Sequence, residues 1–354
     1  MINYDPFSYE GTLTLLQAVE KIDAPSNFLS QTFFPNKISV LTDTVAIEYR
    51  KEGRQAAPYI IKGAKGVNIA RNGSHAKMYS APKFGARRVI SAEDVEHRLF
   101  GETPNIFSPV KAEERQARLM AQDLAQLTRM IQTRREVMAS EVLQTGKLTM
   151  NAYADDGRIV STDTIDFETG GASAVTRDWD DATAKIYDDL YNTSEYIQEN
   201  TGAVPTVAIC GKNVEKYLLA NNEIKNWLMI PNRQNLAMMN LQPHFQSPQI
   251  RYIGTISALN LELYSYNQTY IDETGQKKYF VEPDNIIIGN TGTGRTIFQP
   301  VTLMFNGQFK TISAEVVPHY THNDDDLIST LTLYSRFILV PEVLEDFVVL
   351  KVKQ

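Results

Sequence analysis

The sequence contains one cysteine, Cys210. An intrachain disulfide is excluded, and a reducing compartment is expected. No stretch approaches the roughly 18 consecutive apolar residues of a membrane-spanning helix. The N-terminus also lacks the basic-then-apolar pattern of a secretory signal, so no membrane partner is expected. Histidine is scarce, with five residues scattered at positions 75, 97, 244, 319 and 322. The H-E-x-x-H, G-x-S-x-G and C-x-x-C patterns are all missing, so no catalytic set, metal site or cofactor is expected and the chain does not read as an enzyme. Neither a low-complexity tract nor an internal repeat on the scale of about 20–50 residues is visible, which sets solenoids and propellers aside. Net positive charge is lacking too: the formal charge is −7, so the molecule as a whole is not a general nucleic-acid binder.

The 354 residues accommodate one large domain or two medium ones, and 43% hydrophobic with 22% charged residues is a globular composition. The charge is unevenly placed. From Arg50 to Arg88 there are ten Lys or Arg and one acid, Glu52, so this stretch carries +9 and the rest of the chain −16. Residues 41–90 carry strand-like runs at 45–49 and 59–61 and are interrupted by Gly53, Gly63, Gly66, Gly73 and Gly85. A long, glycine-rich basic hairpin with few apolar residues buries little of itself. Three readings stand: an arm lying on the acidic surface of another subunit, a nucleic-acid-binding arm, or a solvated loop. Its candidate contact residues are Arg50, Lys51, Arg54, Lys62, Lys65, Arg71 and Lys77. Few aromatics (Tyr59, Tyr79, Phe84) accompany them, so stacking on single-stranded bases is poorly supported.

The strongest helical signal covers 108–146. Ser108 is placed to cap it and Pro109 falls where a first-turn proline is tolerated. Glu113 and Glu114 suit the positive end of the helix dipole, and Gly146 with Lys147 suits the other end. Ala117, Met120, Leu124, Leu127, Ile131, Met138 and Val142 alternate at three and four with one break at Arg134, giving an apolar stripe and a charged back. Leu124, Leu127, Ile131 and Met138 are the expected core contacts. At about 1.5 Å per residue the helix would run roughly 50 Å, a spine for several elements rather than part of one small domain. A coiled-coil dimer is the alternative reading.

The flanks read as mixed α and β. Residues 12–22 fit a short helix. Phe28, Phe33 and Phe34, beside Pro25 and Pro35, suggest an extended arm pressed onto this chain's own core or onto a neighbouring copy. Ser91 with Asp94 marks a short capped helix to about 99. The turn at Asp155–Arg158 joins two strands, and Gly170-Gly171 is a flexible join. Asp178-Trp179-Asp180-Asp181 is read as the opening of a helix to about 200, since acids suit a helix start. A buried strand at 205–210, a helix at 213–221 and a strand at 250–253 mark an α/β unit over about 175–290. Leu259, Leu261 and Leu263 alternate with Asn260 and Glu262, and a turn at Asp272–Gly275 leads back into 278–281. Strands follow at 296–305, 309–317, 330–339 and 347–352, expected to pair with the region before 175 so that two lobes interleave in sequence. Asp324-Asp325-Asp326, with His319 and His322 nearby, reads as a solvated turn, because the spacing matches no standard metal set.

Gly289-Asn290-Thr291-Gly292-Thr293-Gly294-Arg295-Thr296 has the spacing of a phosphate-binding loop, with Arg295 where the lysine belongs. Such a loop cradles phosphate when a helix N-terminus follows. Here Ile297-Phe298-Gln299-Pro300-Val301-Thr302-Leu303 reads as a strand, so a glycine turn between strands is expected.

Taken in order, these pieces resemble the major capsid proteins of tailed double-stranded DNA phages, most closely the lambda-type major head proteins. The residues carrying the likeness are Phe28-Leu29 with Phe33-Phe34-Pro35, Leu143-Gln144-Thr145-Gly146-Lys147-Leu148-Thr149-Met150, and the run from Tyr279 to Thr291 through Pro283-Asp284-Asn285. One residue more than expected lies between the aromatic and Pro283. The resemblance spans about 25–345 and implies an α+β chain with the Hong Kong 97-type capsid fold. It further implies an N-terminal arm at 1–40, an extended β-hairpin E-loop at 41–90 overlapping an adjacent subunit, and a peripheral domain at 91–174 with the spine helix 108–146. An axial domain at 175–320 and C-terminal strands at 321–354 returning to the peripheral domain complete it. The implied function is self-assembly as hexamers and pentamers into an icosahedral head, built in the host bacterial cytoplasm and enclosing double-stranded DNA without sequence-specific binding. Implied partners are scaffold and portal proteins and, as often in lambda-type shells, a decoration protein. In some relatives an E-loop lysine bonds covalently to a neighbour; Lys62 and Lys65 lie in that region, but the lambda-type branch generally lacks the chemistry. The alternatives are an encapsulin-like nanocompartment shell and an α/β nucleotide-binding enzyme using Gly289–Thr296.

Overall fold

The computed structural model describes residues 27–50, 74–96, 112–153, 158–167, 175–224, 239–247, 250–305, 307–323, 327–343 and 345–353. Its first element corrects an expectation. The phenylalanine-rich segment is not extended but forms a short helix, α1 (Phe28–Phe33). Helical spacing puts Leu29 and Phe33 on one face, both buried, and Pro35 stops the helix. They join the main core of this same chain. Strand β1 (Asn36–Ser39) follows, and the basic stretch contributes β2 (Val45–Arg50), β3 (Ser74–Tyr79) and β4 (Lys83–Ser91). At the end of β4, Ser91 and Asp94 form the expected capping box: Ser91 N–H donates to Asp94 at 2.9 Å, and Asp94 N–H to Ser91 Oγ at 3.3 Å. This opens α2 (Ala92–Glu96).

The spine is α3 (Ala112–Thr145), closed by Gly146 at φ 68°, whose N–H reaches Val142 O at 2.9 Å. Residues 108–111 lie outside the described residues. The apolar stripe runs from Leu124 to Leu143 only: Ala117 is exposed and Met120 half-buried. Polar residues are buried along the helix as well: Arg135 on the stripe itself, and Thr128, Gln132, Glu136 and Ser140 progressively further round from it. A hairpin follows, β5 (Lys147–Tyr153) against β6 (Ile159–Asp166). Then come β7 (Val175–Thr176), α4 (Ile186–Thr201), β8 (Val207–Cys210) and α5 (Val214–Ala220). The Asp178–Asp181 cluster precedes α4 by a turn rather than opening it. Trp179 is buried there and donates Nε1–H to Asp189 at 2.8 Å, while Asp181 Oδ1 accepts from Thr183 N–H at 2.8 Å.

The remaining strands are β9 (Met239–Ser247), β10 (Ile250–Ile256), β11 (Leu261–Ser265), β12 (Thr269–Ile271), β13 (Lys277–Tyr279), β14 (Asn285–Gly289), β15 (Gly294–Phe298), β16 (Val301–Phe305), β17 (Gln308–Ile312), β18 (Val317–Asn323), β19 (Ile328–Pro341) and β20 (Phe347–Lys351). The turn at Asp272–Gly275 joins β12 to β13 and does not return β11 on itself. The expected strand 296–305 is two strands, since Pro300 interrupts it, and the expected 309–317 is likewise split between β17 and β18.

Two larger sheets organise the chain. A seven-stranded sheet runs β7-β20-β14-β8-β11-β10-β9. Its inner strands are apolar on both faces, as strands covered on both sides must be: all four residues of β8 are buried. Alternation sends Ala208 and Cys210 to the side of α4 and α5, with Ile186, Leu190, Val214 and Leu218. Val207 and Ile209 go to the other side, into the core shared with α1 and α3. The second sheet is five-stranded, with β19 pairing β15, β18 and β4, and β1 lying parallel to β15. Spine helix α3 packs on β19 and β4. The late strands therefore do not divide at residue 320. The chain crosses to the five-stranded sheet at β15, and β20 goes back to the seven-stranded sheet between β14 and β7. The reason is the Phe347-Val348-Val349-Leu350 run, which is apolar on both faces and needs an interior position.

Candidate functional site: the spine helix and the exposed hairpins

The second half of α3 gathers three distant segments by polar contacts. Glu136 is 1% exposed. Its two carboxyl oxygens accept the N–H groups of Leu29 at 2.7 Å and Ser30 at 3.0 Å, the first-turn donors of α1 that lack a partner within their own helix. The Tyr266 hydroxyl also bonds to it. Burial pushes the Glu136 carboxyl above its ordinary range, against the pull of those donors. Burial, with Glu136 beside it, pushes the Tyr266 hydroxyl up as well. At the preceding position, Arg135 pairs with Glu315, which also takes Lys37 of β1 at 2.7 Å. Burial alone would raise the Glu315 carboxyl, but Arg135 and Lys37 outweigh it and hold it below its ordinary range. Further along, Ser140 donates to Phe280 O, and Gln144 spans the same strand exit, donating to Phe280 O at 2.9 Å and accepting from Glu282 N–H at 3.0 Å.

Each of these groups is used within the fold. They join α1, β1 and the β13–β14 connection to one helix, and none is aimed into an open cleft. Leu124, Leu127, Ile131 and Met138 are all buried against the same core. Cys210 is buried, and burial pushes its thiol well above the ordinary range, away from nucleophilic chemistry. Among the described residues no three His, Cys, Asp or Glu side chains gather as metal ligands, and no helix is long and apolar enough to cross a membrane. His319 packs edge-on against Phe305, and 324–326 lie outside the described residues.

The Gly289–Thr296 loop is a turn between β14 and β15, followed by a strand and not by a helix. Its glycines serve packing. A Cβ on Gly294 would lie 2.3 Å from Phe34 Cδ1, and Gly292, at φ 77°, donates its N–H to Thr32 O at 2.8 Å. Arg295 pairs with Glu342 at 3.1 Å. The loop seats the phenylalanines of α1, and the geometry for a phosphate cradle is not formed.

Of the basic candidates, Lys51, Arg54, Lys62, Lys65 and Arg71 lie outside the described residues. Arg50 ends β2 opposite Ser74, and Lys77 on β3 lies opposite Ile47. Part of the local charge is satisfied internally, as Arg88 meets Asp123 of α3 at 3.6 Å. Four two-stranded sheets stand apart from the larger ones: β2–β3, β5–β6, β12–β13 and β16–β17. They carry large exposed apolar side chains, among them Met78, Ile159, Val160, Ile271, Met304 and Phe309. Isolated two-stranded sheets are marginal in water and gain from a covering surface.

Residues 11–331 match the family model described as phage major capsid protein E. The chain belongs to that family. Two solved structures support the same architecture. A prophage protein of E. coli CFT073, described as a capsid protein, is 18% identical with a TM-score of 0.67, covering 98% of this chain and 99% of that one. A phage-related protein from Bordetella bronchiseptica RB50 is 9% identical with a TM-score of 0.55, covering 96% of each. A search of curated protein sequences finds no match. The fold of this capsid protein is the Hong Kong 97-type, as the resemblance implied. The protein is a capsid shell subunit that self-associates in the virion, and the nanocompartment alternative is not favoured. The functional part of such a protein is its assembly surface and the framework that holds it. Sequence reasoning reached the spine's apolar stripe but missed Glu136, Arg135 and Glu315. Their partners lie more than 100 residues away, so no local pattern marks Glu136 or Glu315, and Arg135 shows only as a charge four residues after Ile131, where the apolar period continues.

Proposed function

We propose that this capsid protein assembles as hexamers and pentamers that close into an icosahedral head around double-stranded DNA, with a structural and non-enzymatic role. The carrying observation is the set of two-stranded sheets with exposed apolar side chains in a chain of this family. In this reading residues 1–40 act as the N-terminal arm, 41–90 as an E-loop laid on an adjacent subunit, and α3 as the spine of a peripheral domain that includes the five-stranded sheet. The seven-stranded sheet with α4 and α5 forms the axial domain near the five- and six-fold axes. The basic residues Arg50, Lys51, Arg54, Lys62, Lys65, Arg71 and Lys77 serve the contact between subunits. The body's compensating −16 suits both that contact and an inner wall that does not trap DNA. Scaffold and portal proteins assist in the host cytoplasm, and a decoration protein binds the outside.

The charge-reversed variant Lys62→Glu with Lys65→Glu tests this reading. A folded monomer with slowed shell closure by light scattering is expected, because like charges then face each other across the contact. Normal closure with reduced DNA content would point to a nucleic-acid arm instead, and normal values for both would point to a solvated loop.

A further inference from the structure

The four small sheets differ in charge. Hairpin β5–β6, over residues 147–166, has four aspartates (155, 156, 163 and 166) against Lys147 and Arg158, a net −2. Over residues 269–279 the β12–β13 hairpin has Asp272 and Glu273 against Lys277 and Lys278, net zero. Over 301–312 the β16–β17 hairpin has Lys310 alone. Over 45–79 the β2–β3 hairpin has seven Lys or Arg against Glu48 and Glu52, a net +5. Among these, β5–β6 is the acidic counterpart of β2–β3.

Edges differ as well. Of the larger sheets' strands, β9 contains Pro243 and β18 contains Pro318, residues that blunt an edge, and β7 is two residues long. Strands β2, β3, β5 and β6 contain neither proline nor glycine. Within the acidic hairpin the two edges are unequal. Thr149 N–H of β5 is taken by Glu141 of the spine at 2.8 Å, so α3 covers part of that edge. Among the described residues no side chain covers β6 in this way: its first six residues are exposed, Val160 72% and Ile159 55%. Five of its eight residues are β-branched, which favours strand pairing. On the basic sheet, Met78 of β3 is 71% exposed.

We infer that the free edge of β6 is the seat for the basic β2–β3 hairpin of a second copy, joined by strand addition so that the two small sheets become one continuous sheet across the subunit contact. This rests on the proposed overlap of the basic hairpin with a neighbour and specifies where it lands. The acidic segment 178–201 is the rival seat by charge, but a helix offers no backbone partners to an open strand edge.

The test uses shells and unassembled subunits of the full chain. In hydrogen exchange on the wild-type protein, amides of residues 159–166 slow by about tenfold or more on assembly. Disulfide mapping then locates the partner. Met78→Cys is combined in turn with Val160→Cys, Thr162→Cys and Thr164→Cys, which step along one face of β6, and with Tyr191→Cys on α4 as control. Buried Cys210 stays out of the reaction. Disulfide-linked oligomers from at least one β6 pairing, with none through Tyr191, are expected. Unprotected 159–166 amides in intact shells, or cross-linking through Tyr191 alone, overturn the seat on β6 while leaving the neighbour contact standing. Amides of 74–79 that exchange equally fast in shells and subunits overturn the neighbour contact itself.

Discussion

Replacing Glu136 with alanine removes the acceptor for three buried donors: the N–H groups of Leu29 and Ser30 and the Tyr266 hydroxyl. A buried donor left without a partner costs about 1–3 kcal/mol. Three of them, partly relieved by water entering the space, give about 3–5 kcal/mol, a large share of the roughly 5–15 kcal/mol that separates folded from unfolded domains. The loss is local first, because α1 is six residues long and leans on this carboxyl for its first turn. Glu136→Gln falls between, since its amide keeps one acceptor and turns a second donor toward an N–H. Urea denaturation of unassembled subunits measures the stability change, and hydrogen exchange at Leu29 and Ser30 reports where it begins. The pH dependence has a definite sign. The folded state binds the Glu136 proton more tightly than the unfolded chain, whose value is 4.5. The carboxyl's contribution is therefore fully present below 4.5 and declines as pH rises through the folded value. The stability of wild type relative to Glu136→Gln falls accordingly. An alanine variant within about 0.5 kcal/mol of wild type, with slow exchange at Leu29 and Ser30, would refute the role given to this residue.

Leu127→Asp places a charge at a position 2% exposed, and at least about 4 kcal/mol of destabilisation is expected. Soluble, assembly-competent protein would show that the stripe is not core. Gly294→Ala forces its Cβ against the Phe34 ring and the Phe33 carbonyl, at about 2–3 kcal/mol, visible as a lowered Tm; an unchanged Tm argues against the seating of α1 on this turn. Glu315, held low by Arg135 and Lys37 despite burial, contributes stability above its unfolded value of 4.5 that is lost as pH falls through the folded value. Glu315→Gln thus narrows the stability gap to wild type on acidification, and a gap independent of pH contradicts the pairing.

Local signals carried much of the fold. The 3.6-residue period of α3, the Ser91–Asp94 capping box and the all-apolar Val207–Cys210 strand each depend on residues close in sequence, and each formed. Readings failed where the partner is far away. Glu136 sits 107 residues from Leu29, and Arg135 180 from Glu315, so nothing near them marks them as buried. The acids at 178–181 resembled a helix start by composition, yet Trp179 is drawn into the core and delays α4 to Ile186. Strand β20 was assigned to the wrong sheet because its order in the chain says nothing about which sheet has an interior place for it. The glycines of 289–294 were legible as a turn, but their packing against Phe33 and Phe34 was not.

Electron microscopy of the purified capsid protein, expressed alone and with its scaffold, tests the central claim most directly. Closed shells built from hexamers and pentamers, with density for each subunit's basic hairpin on its neighbour, are expected. A strictly monomeric species at high concentration, with no shells on co-expression, would contradict it.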